Sequence, residues 1–390
     1  MLNFELNAPN QLLFNPRSSA EELAELKNLQ HEFENEFGKN NYFLVPSSGS
    51  SRGVDESVKL IALKIDRILN SANRVNHYLN ATPQDSWGLA LPQFHVAGIG
   101  VSARAYLMQS HIHKFSGRWD SFAAEIEQND ISYISLVPTQ INDLIQLRCS
   151  SPKCVKKVFV GGGALAPALK SQITELGWPV VETYGMTETA SMIAVREKDE
   201  DLFRPLNNVF VKSDQGGRLA VRCDSLLTAA VQRRDGKVLI DYYDDNSWFV
   251  AGDRAELIRM NSEVYLKILG RSSEYLKILG EGVSLQELRF LLNQISQAAG
   301  VSQVDYELLA LENERTGHDL VLVTDQRVER VAGESLVREF NLRCRPYEKI
   351  NRLITVDAIP RSDLGKVLLF DLKEKVISIL NSEVNRGTIK

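Results

Sequence analysis

Several short segments of this 390-residue chain place glycine, hydroxyl or charged residues directly after apolar runs. The first is Ser47-Ser48-Gly49-Ser50-Ser51-Arg52-Gly53, which follows the strand-like run Asn41 to Pro46. A glycine-rich turn between a strand and a helix aims several backbone N–H groups at one anion, and the helix dipole reinforces the field. The serine hydroxyls add donors. No G-x-x-x-x-G-K-[ST] pattern is present, so this is not a Walker A loop. The same composition also makes a plain connector. A second glycine run, Gly161-Gly162-Gly163, follows the strand-like Lys157 to Val160. It either lets a flat ligand approach the backbone or forms a tight strand-to-helix turn.

Two hydroxyls and a carboxylate crowd the segment Tyr184-Gly185-Met186-Thr187-Glu188-Thr189. Thr187 suits a phosphate oxygen and Glu188 suits Mg²⁺; the competing reading is a helix N-cap with an acidic first turn. Asp253, behind Gly252, is an acceptor-only carboxylate able to take both hydroxyls of a ribose, or a simple turn aspartate. Gly270-Arg271, the stretch Leu276 to Val283 and Glu287 form another group, and Ile359 to Lys366 another. Lys366, behind Gly365 and near the chain end, suits a mobile cation reaching into a cleft; seen alone, either group is also a surface loop.

The remaining segment is Leu91-Pro-Gln-Phe-His95-Val-Ala-Gly98. A histidine after an apolar strand is either packed or lines a site. Gly98 to Ala103 also matches G-x-G-x-x-A, with Asp120 downstream, a partial dinucleotide fingerprint. Arg104 is the only charge between Asp85 and His111. A guanidinium in such an apolar run pairs with a carboxylate, from the protein or from a ligand.

The elements that must hold these groups follow from periodicity. Ser18 to Phe37 predicts an amphipathic helix with a capping-box start. Val58, Ile61, Ile65, Ile68, Leu69, Ala72 and Val75 fall on one helical face, which predicts one long helix. From residue 86, short apolar runs (Trp87–Leu91, Tyr133–Val137, Lys157–Val160, Val180–Thr183) alternate with helical patterns, the mark of α/β layering with largely parallel strands. Residues 208 to 268 read as an appended antiparallel β unit. The predicted organisation is an α/β large domain over 1–270, with layered sheets. A small mobile α+β domain over 271–390, about 120 residues, is long enough for its own core. Tyr-Leu-Lys-Ile-Leu-Gly occurs at 265–270 and 275–280 and predicts two similar strands, not a repeat array.

Composition narrows the partners. A net charge of -5 argues against nucleic acid. Anions must therefore be held locally. Four scattered cysteines predict reduced, buried thiols. The N-terminus lacks a basic segment followed by an apolar core, and no apolar run is long enough for a membrane span, so a cytoplasmic protein is expected.

Taken in order, these segments resemble the adenylate-forming superfamily of acyl-CoA synthetases, luciferases and peptide-synthetase adenylation domains, over about residues 42 to 370. The segments Leu91 to Gly100, Ile134 to Gln140 and Gly280 to Val283 look most like o-succinylbenzoate–CoA ligases of menaquinone synthesis. The resemblance implies ATP, Mg²⁺ and coenzyme A as co-substrates and a carboxylic acid that is adenylated and then passed to the CoA thiol. It implies that Ser47, Ser48, Gly49, Ser50, Ser51 and Gly53 embrace the β- and γ-phosphates. Gly161, Gly162, Gly163, Tyr184 and Gly185 would flank adenine, with Thr187 at the α-phosphate and Glu188 at Mg²⁺. Asp253 and Arg271 would hold the ribose, and Lys366 would bridge the carboxylate and α-phosphate. His95 would sit at the acyl pocket, Arg104 on the succinyl carboxylate, and Lys277 to Val283, with Lys277 and Gly280, would swing in for the thioester step about a hinge at Ser273.

Two departures from the family stand out. The phosphate loop continues Val54-Asp-Glu where the family carries Pro-Lys, leaving Arg52 or Lys59 to replace the cation. Only 46 residues precede the loop, fewer than the family carries, which predicts a shortened N-terminal subdomain whose uncovered face is buried in a homodimer. Three further readings stay open: a ligase for another aryl or acyl acid, a non-catalytic nucleotide- or acyl-binding descendant, and a dinucleotide oxidoreductase.

Overall fold

The computed structural model describes residues 2–47, 58–362 and 365–385. They form two compact units. The first comprises Met1–Ala251 with Glu256–Lys267, the second Gly252–Ala255 with Ile268–Lys390.

In the first unit, a seven-stranded sheet runs in the order Arg204–Pro205, Ser191–Arg196, Val180–Met186, Lys157–Val160, Tyr133–Leu136, Trp87–Leu89, Ile112–Lys114. The last five of these strands are mutually parallel, whereas Ser191–Arg196 turns back antiparallel on Val180–Met186. Helices cover both faces. Val96–Met108 packs Val101 and Ala105 with Val75, Trp87, Phe159 and Val181, and on the opposite face Ile126, Ile141, Leu144 and Ile173 pack with Ile134, Leu136, Val158 and Val160. Adjacent residues Val158 and Phe159 thus serve opposite faces, as the two-residue period of a strand requires. The predicted α/β layering holds.

A second, five-stranded sheet has the order Gln11–Leu12, Tyr42–Ser47, Lys59–Lys64, Ala229–Arg234, Lys237–Tyr242. The amphipathic helix Ala20–Phe37 lies on it through Leu26, Leu29 and Phe33, with Ser19 capping the N–H of Glu22. One expectation fails here. The predicted long helix begins only at Ile65; Lys59–Lys64 is a central strand paired to Tyr42–Ser47 and to Ala229–Arg234. Leu60 to Leu63 are fully buried. A strand covered on both faces is apolar throughout, so its pattern mimics a helix. The antiparallel region is also divided. Val209–Ser213, Arg218–Cys223, Phe249–Met260 and Glu263–Arg271 form a four-stranded sheet, whereas Ala229–Tyr242 is a hairpin completing the five-stranded one.

The second unit contains the hairpin Tyr275–Ile278/Glu281–Ser284 and a three-stranded sheet of Tyr306–Asn313, Gly317–Asp325 and Ile350–Val356. The two Tyr-Leu-Lys-Ile-Leu-Gly copies lie in separate strands, as expected. Helices Leu285–Ala298 and Arg330–Arg343 bury Leu292, Leu336 and Phe340 against Leu308 and Leu322; Leu369–Asn385 buries Leu372 and Val376 against Leu309, Val321 and Val323. Among the described residues no helix is long and apolar enough to cross a membrane. All four cysteines are free thiols, but only Cys223 is fully buried. Burial pushes the Cys149, Cys154 and Cys344 thiols up, away from reactivity.

Candidate functional site

The carboxyl ends of the parallel strands gather most of the singled-out segments. Leu89 leads to Leu91–His95, Leu136 to Val137–Gln140, Val160 to Gly161–Gly163, and Val180–Met186 carries Tyr184 and Gly185 and leads into Thr187 and Glu188. Open α/β sheets bind ligands at this edge. Gln140 ties the loops together: its amide oxygen accepts from Val137 N–H at 3.0 Å, and its Nε2 donates to the Ala90 carbonyl at 3.2 Å. Gly161 N–H donates to Leu136 O at 3.2 Å.

At two of the glycines a side chain would meet a close neighbour. A Cβ on Gly185 would lie 2.2 Å from Ser191 O and 2.6 Å from Met192 Cα, where a bulge lets the returning strand cross. A Cβ on Gly161 would lie 2.4 Å from Thr183 Oγ1. Gly162 needs its glycine for another reason, a φ of +78°. Tyr184 stands 6.2 Å from the ring of Phe203.

Thr187–Thr189 is one turn of 3₁₀ helix. It is held by the buried Thr189, whose Oγ1 accepts from Met186 N–H at 3.2 Å and donates to Ser191 O at 2.8 Å. Ala190 and Ser191 follow at φ 51° and 95°, left-handed values that non-glycine residues hold only when their surroundings impose them. The turn leaves the Glu188 side chain beside Lys59, Nζ to Oε1 3.4 Å. The neighbouring Glu182 is structural: it is buried and ion-paired to Arg196 at 2.6 Å and Lys170 at 3.0 Å.

His95 caps the helix Val96–Met108, its N–H donating to Pro92 O at 3.2 Å and its ring 4.6 Å from that of Phe94. Gly98 to Ala103 lie inside this helix, not in a strand-to-helix turn, which removes the dinucleotide fingerprint. Arg104, on the same helix, is 1% exposed. Its guanidinium lies 5.6 Å from the Trp87 ring and 5.8 Å from Phe159. Nε and Nη1 have no hydrogen-bond partner among the described residues. Burial alone pulls its pKa down to about 9.

In the second unit, Asp253 and Arg271 come within 3.8 Å of each other. Lys366 sits in a pinned loop: its N–H donates to Ser362 Oγ at 3.2 Å, and its carbonyl accepts from Ser362 N–H at 2.8 Å. Burial first, and then the Arg271 charge, lower its pKa to about 8, against the pull of Asp253 and Glu274. Lys277 lies in the hairpin, and Gly280 closes its turn at φ +86°. Ser48, Gly49, Ser50, Ser51 and Gly53 lie outside the described residues; Ser47 ends its strand directly opposite Lys59. Among the described residues no three His, Cys, Asp or Glu side chains gather as a metal cage.

Two features escape the sequence reading. Gln140 carries no chemical signal beyond lying two residues after Pro138. The Lys59–Glu188 pair joins residues 129 apart in sequence, a separation that no local pattern spans.

The profile of the AMP-binding enzyme family matches residues 57–214. The chain is similar to 2-succinylbenzoate–CoA ligase of Bacillus subtilis, 25% identical over 335 residues covering 77% of this chain and 64% of that protein. The Bacillus pumilus enzyme of the same name is 26% identical over 313 residues, covering 75% and 61%. The chain thus spans less than two thirds of the length of these relatives. Among solved structures it is similar to the B. subtilis o-succinylbenzoate CoA synthetase in complex with its acyl-adenylate intermediate, at TM-score 0.70 and 21% identity, over 85% of this chain and 68% of the other. The ATP-bound MatB of Rhodopseudomonas palustris matches at TM-score 0.69 and 18% identity, over 85% and 67%. The chain shares the fold of these two enzymes. The resemblance drawn from the ordered segments, including the likeness to o-succinylbenzoate–CoA ligases, is borne out.

Proposed function

We propose that this chain is an ATP-dependent acid–CoA ligase that adenylates o-succinylbenzoate and transfers the acyl group to coenzyme A, as in menaquinone synthesis. The relatives' names support the reaction class. The observation that carries the choice of acid is Arg104. A buried guanidinium with two unpartnered nitrogens is costly until a carboxylate meets it. The substrate's second carboxylate is such a group.

The chemistry follows from what each residue offers. The reacting carboxylate is already ionised near neutral pH, so no general base is needed. Its attack on the α-phosphate spreads negative charge over phosphate oxygens. Thr187 donates there, and Lys366 supplies a positive charge, both acting mainly in the transition state. Glu188 is the carboxylate that would hold Mg²⁺, and the ion would supply positive charge to neutralise the phosphates. Gly161 to Gly163, Tyr184 and Gly185 offer a side-chain-poor surface for adenine, and Asp253 and Arg271 take the ribose. His95 borders the acyl group, and Lys277 to Val283 serve the thioester step. The proposed use of ATP and CoA supports a cytoplasmic setting.

The test is pyrophosphate release from ATP, Mg²⁺ and o-succinylbenzoate, with and without CoA, in wild type and Lys366→Ala. Acid-dependent release that collapses in the variant supports adenylation of this acid. Release only with other aryl or acyl acids would keep the mechanism and discard the substrate. Absence of release with every acid would leave a nucleotide- or acyl-binding protein without catalysis.

A further inference from the structure

Three consecutive carbonyls of the turn that carries Glu188 are pinned from behind. Glu188 O accepts from Leu227 N–H at 2.7 Å, Thr189 O from Ser225 Oγ at 3.0 Å and Ala190 O from Ser71 Oγ at 2.7 Å. All three donor residues are buried. Ser71 belongs to the helix Ile65–Leu79, which also carries Arg67 and Arg74. Spacings of four and seven residues put these three side chains on one face of the helix. Arg67 is 7% exposed. Its Nη1 donates to Leu226 O at 2.7 Å and to Leu227 O at 2.8 Å, and its Nη2 reaches Asp245 at 2.7 Å. Arg74 Nη1 donates to Ser225 Oγ at 3.2 Å. The Leu226–Leu227 peptide therefore links a cation to the catalytic turn: its carbonyl accepts from Arg67, and its N–H donates to Glu188 O. Charge on the carbonyl polarises the N–H of the same peptide and strengthens the bond it donates.

We propose that Arg67 and Ser71 are positioning residues for the Glu188 carboxylate, Arg67 acting through the Leu226–Leu227 peptide and Ser71 through the Ala190 carbonyl. The inference rests on the reading of Glu188 as the carboxylate for Mg²⁺. The turn needs outside support, because Ala190 and Ser191 hold left-handed backbone that non-glycine residues keep only when their surroundings impose it. As a packing element alone, a buried guanidinium directed at carbonyls is a poor choice, since an apolar side chain of similar volume fills such a space at least as well. Both side chains fix the peptide frame from which Glu188 projects. Without them the turn relaxes toward ordinary backbone, and the carboxylate leaves its line.

Mn²⁺ serves as the probe. Its binding in the presence of a non-hydrolysable ATP analogue is read by electron paramagnetic resonance, and AMP binding without metal by calorimetry. The full chain is compared as wild type, Arg67→Met, Ser71→Ala, Glu188→Gln and Ile126→Ala. Ile126 is a fully buried core residue on the far face of the seven-stranded sheet, and its truncation destabilises the same unit without touching the turn. The expected Mn²⁺ affinity is at least about tenfold weaker in Arg67→Met and about threefold weaker in Ser71→Ala, with AMP affinity within about twofold of wild type in both. Arg67→Lys, which keeps a charged donor, recovers part of the loss, and Ile126→Ala shows none. Retained AMP binding shows that a variant is folded. Should Arg67→Met not fold, Ser71→Ala, which deletes one hydroxyl, decides the matter. Equal losses for Mn²⁺ and AMP, or a loss as large in Ile126→Ala, would make these residues merely structural and overturn the proposal. Glu188→Gln separates the proposal from the reading beneath it. Undiminished Mn²⁺ binding in that variant removes Glu188 from the metal, and the inference falls with the reading. A loss there, with none in Arg67→Met or Ser71→Ala, overturns the inference alone.

Discussion

Arg361 Nη1 donates to the carbonyl oxygen of Gly365 at 2.9 Å, fixing the peptide that leads into Lys366. Ser362 grips the same turn from the other side through Lys366 N–H and C=O. Position matters more than charge alone for a group that acts in the transition state.

Arg361→Met therefore lowers kcat for pyrophosphate release by about tenfold, from loss of one charge-assisted hydrogen bond of about 1.5–3 kcal/mol. KM for ATP changes little. Steady-state assays at saturating acid check this; a change confined to KM would remove Arg361 from the positioning of Lys366.

The lowered pKa of Lys366 has a pH signature. The protonated amine is the active form, so the adenylation rate falls as pH rises through about 8. After burial, the Arg271 charge is the next cause of the shift. In Arg271→Gln the fall moves to higher pH, whatever the loss in absolute rate. The linkage to stability has the opposite sense. The unfolded chain titrates this lysine near 10.5 and the folded chain near 8. Between those values the unfolded state binds more protons, so the contribution of this group to stability rises with pH. A pH–rate profile of both proteins checks the first claim, and denaturant midpoints across that window check the second.

Arg104→Met removes a buried charge without removing its volume. Replacing an unpartnered buried cation by an apolar side chain leaves stability unchanged or higher. The thermal midpoint of the variant is accordingly no lower than that of wild type, while KM for o-succinylbenzoate rises at least about 30-fold, a loss of about 2 kcal/mol. KM for ATP stays put. An unchanged KM for the acid would falsify the assignment of Arg104 to a substrate carboxylate.

Gly185→Ala forces a methyl group against Ser191 O and Met192 Cα. Both contacts are backbone, so neither neighbour has a rotamer to yield with. The expected cost is about 2–4 kcal/mol, read as a lower urea midpoint. Gly161→Ala meets only the end of the Thr183 side chain and costs less than half as much.

The parallel strands and the loops at their carboxyl ends were legible because each apolar run stops at a glycine, proline or polar turn. Lys59–Lys64 was not, because Leu60 to Leu63 are buried on both faces and carry no alternation. The hairpin Ala229–Arg234/Lys237–Tyr242 falls in the stretch read as antiparallel β, but its membership of the Tyr42–Ser47 sheet depends on pairing across more than 160 residues. In the site, Thr187, Glu188 and Arg104 stood out by type and spacing. The ion pair that Glu188 makes did not, since long-range register alone brings Lys59 to it. Ser48 to Gly53, which the sequence singles out first, lie outside the described residues.

The crowding at Gly185 bears on how such proteins are recognised. The glycine is fixed by two backbones crossing at a bulge, a demand of the sheet that exists whether or not any nucleotide is turned over. A lineage that had abandoned adenylation would still have to keep it. The Tyr-Gly-Met-Thr-Glu segment thus joins two separate demands: its glycine answers to the crossing of two backbones, while its glutamate, 15% exposed and beside Lys59, answers to the proposed chemistry.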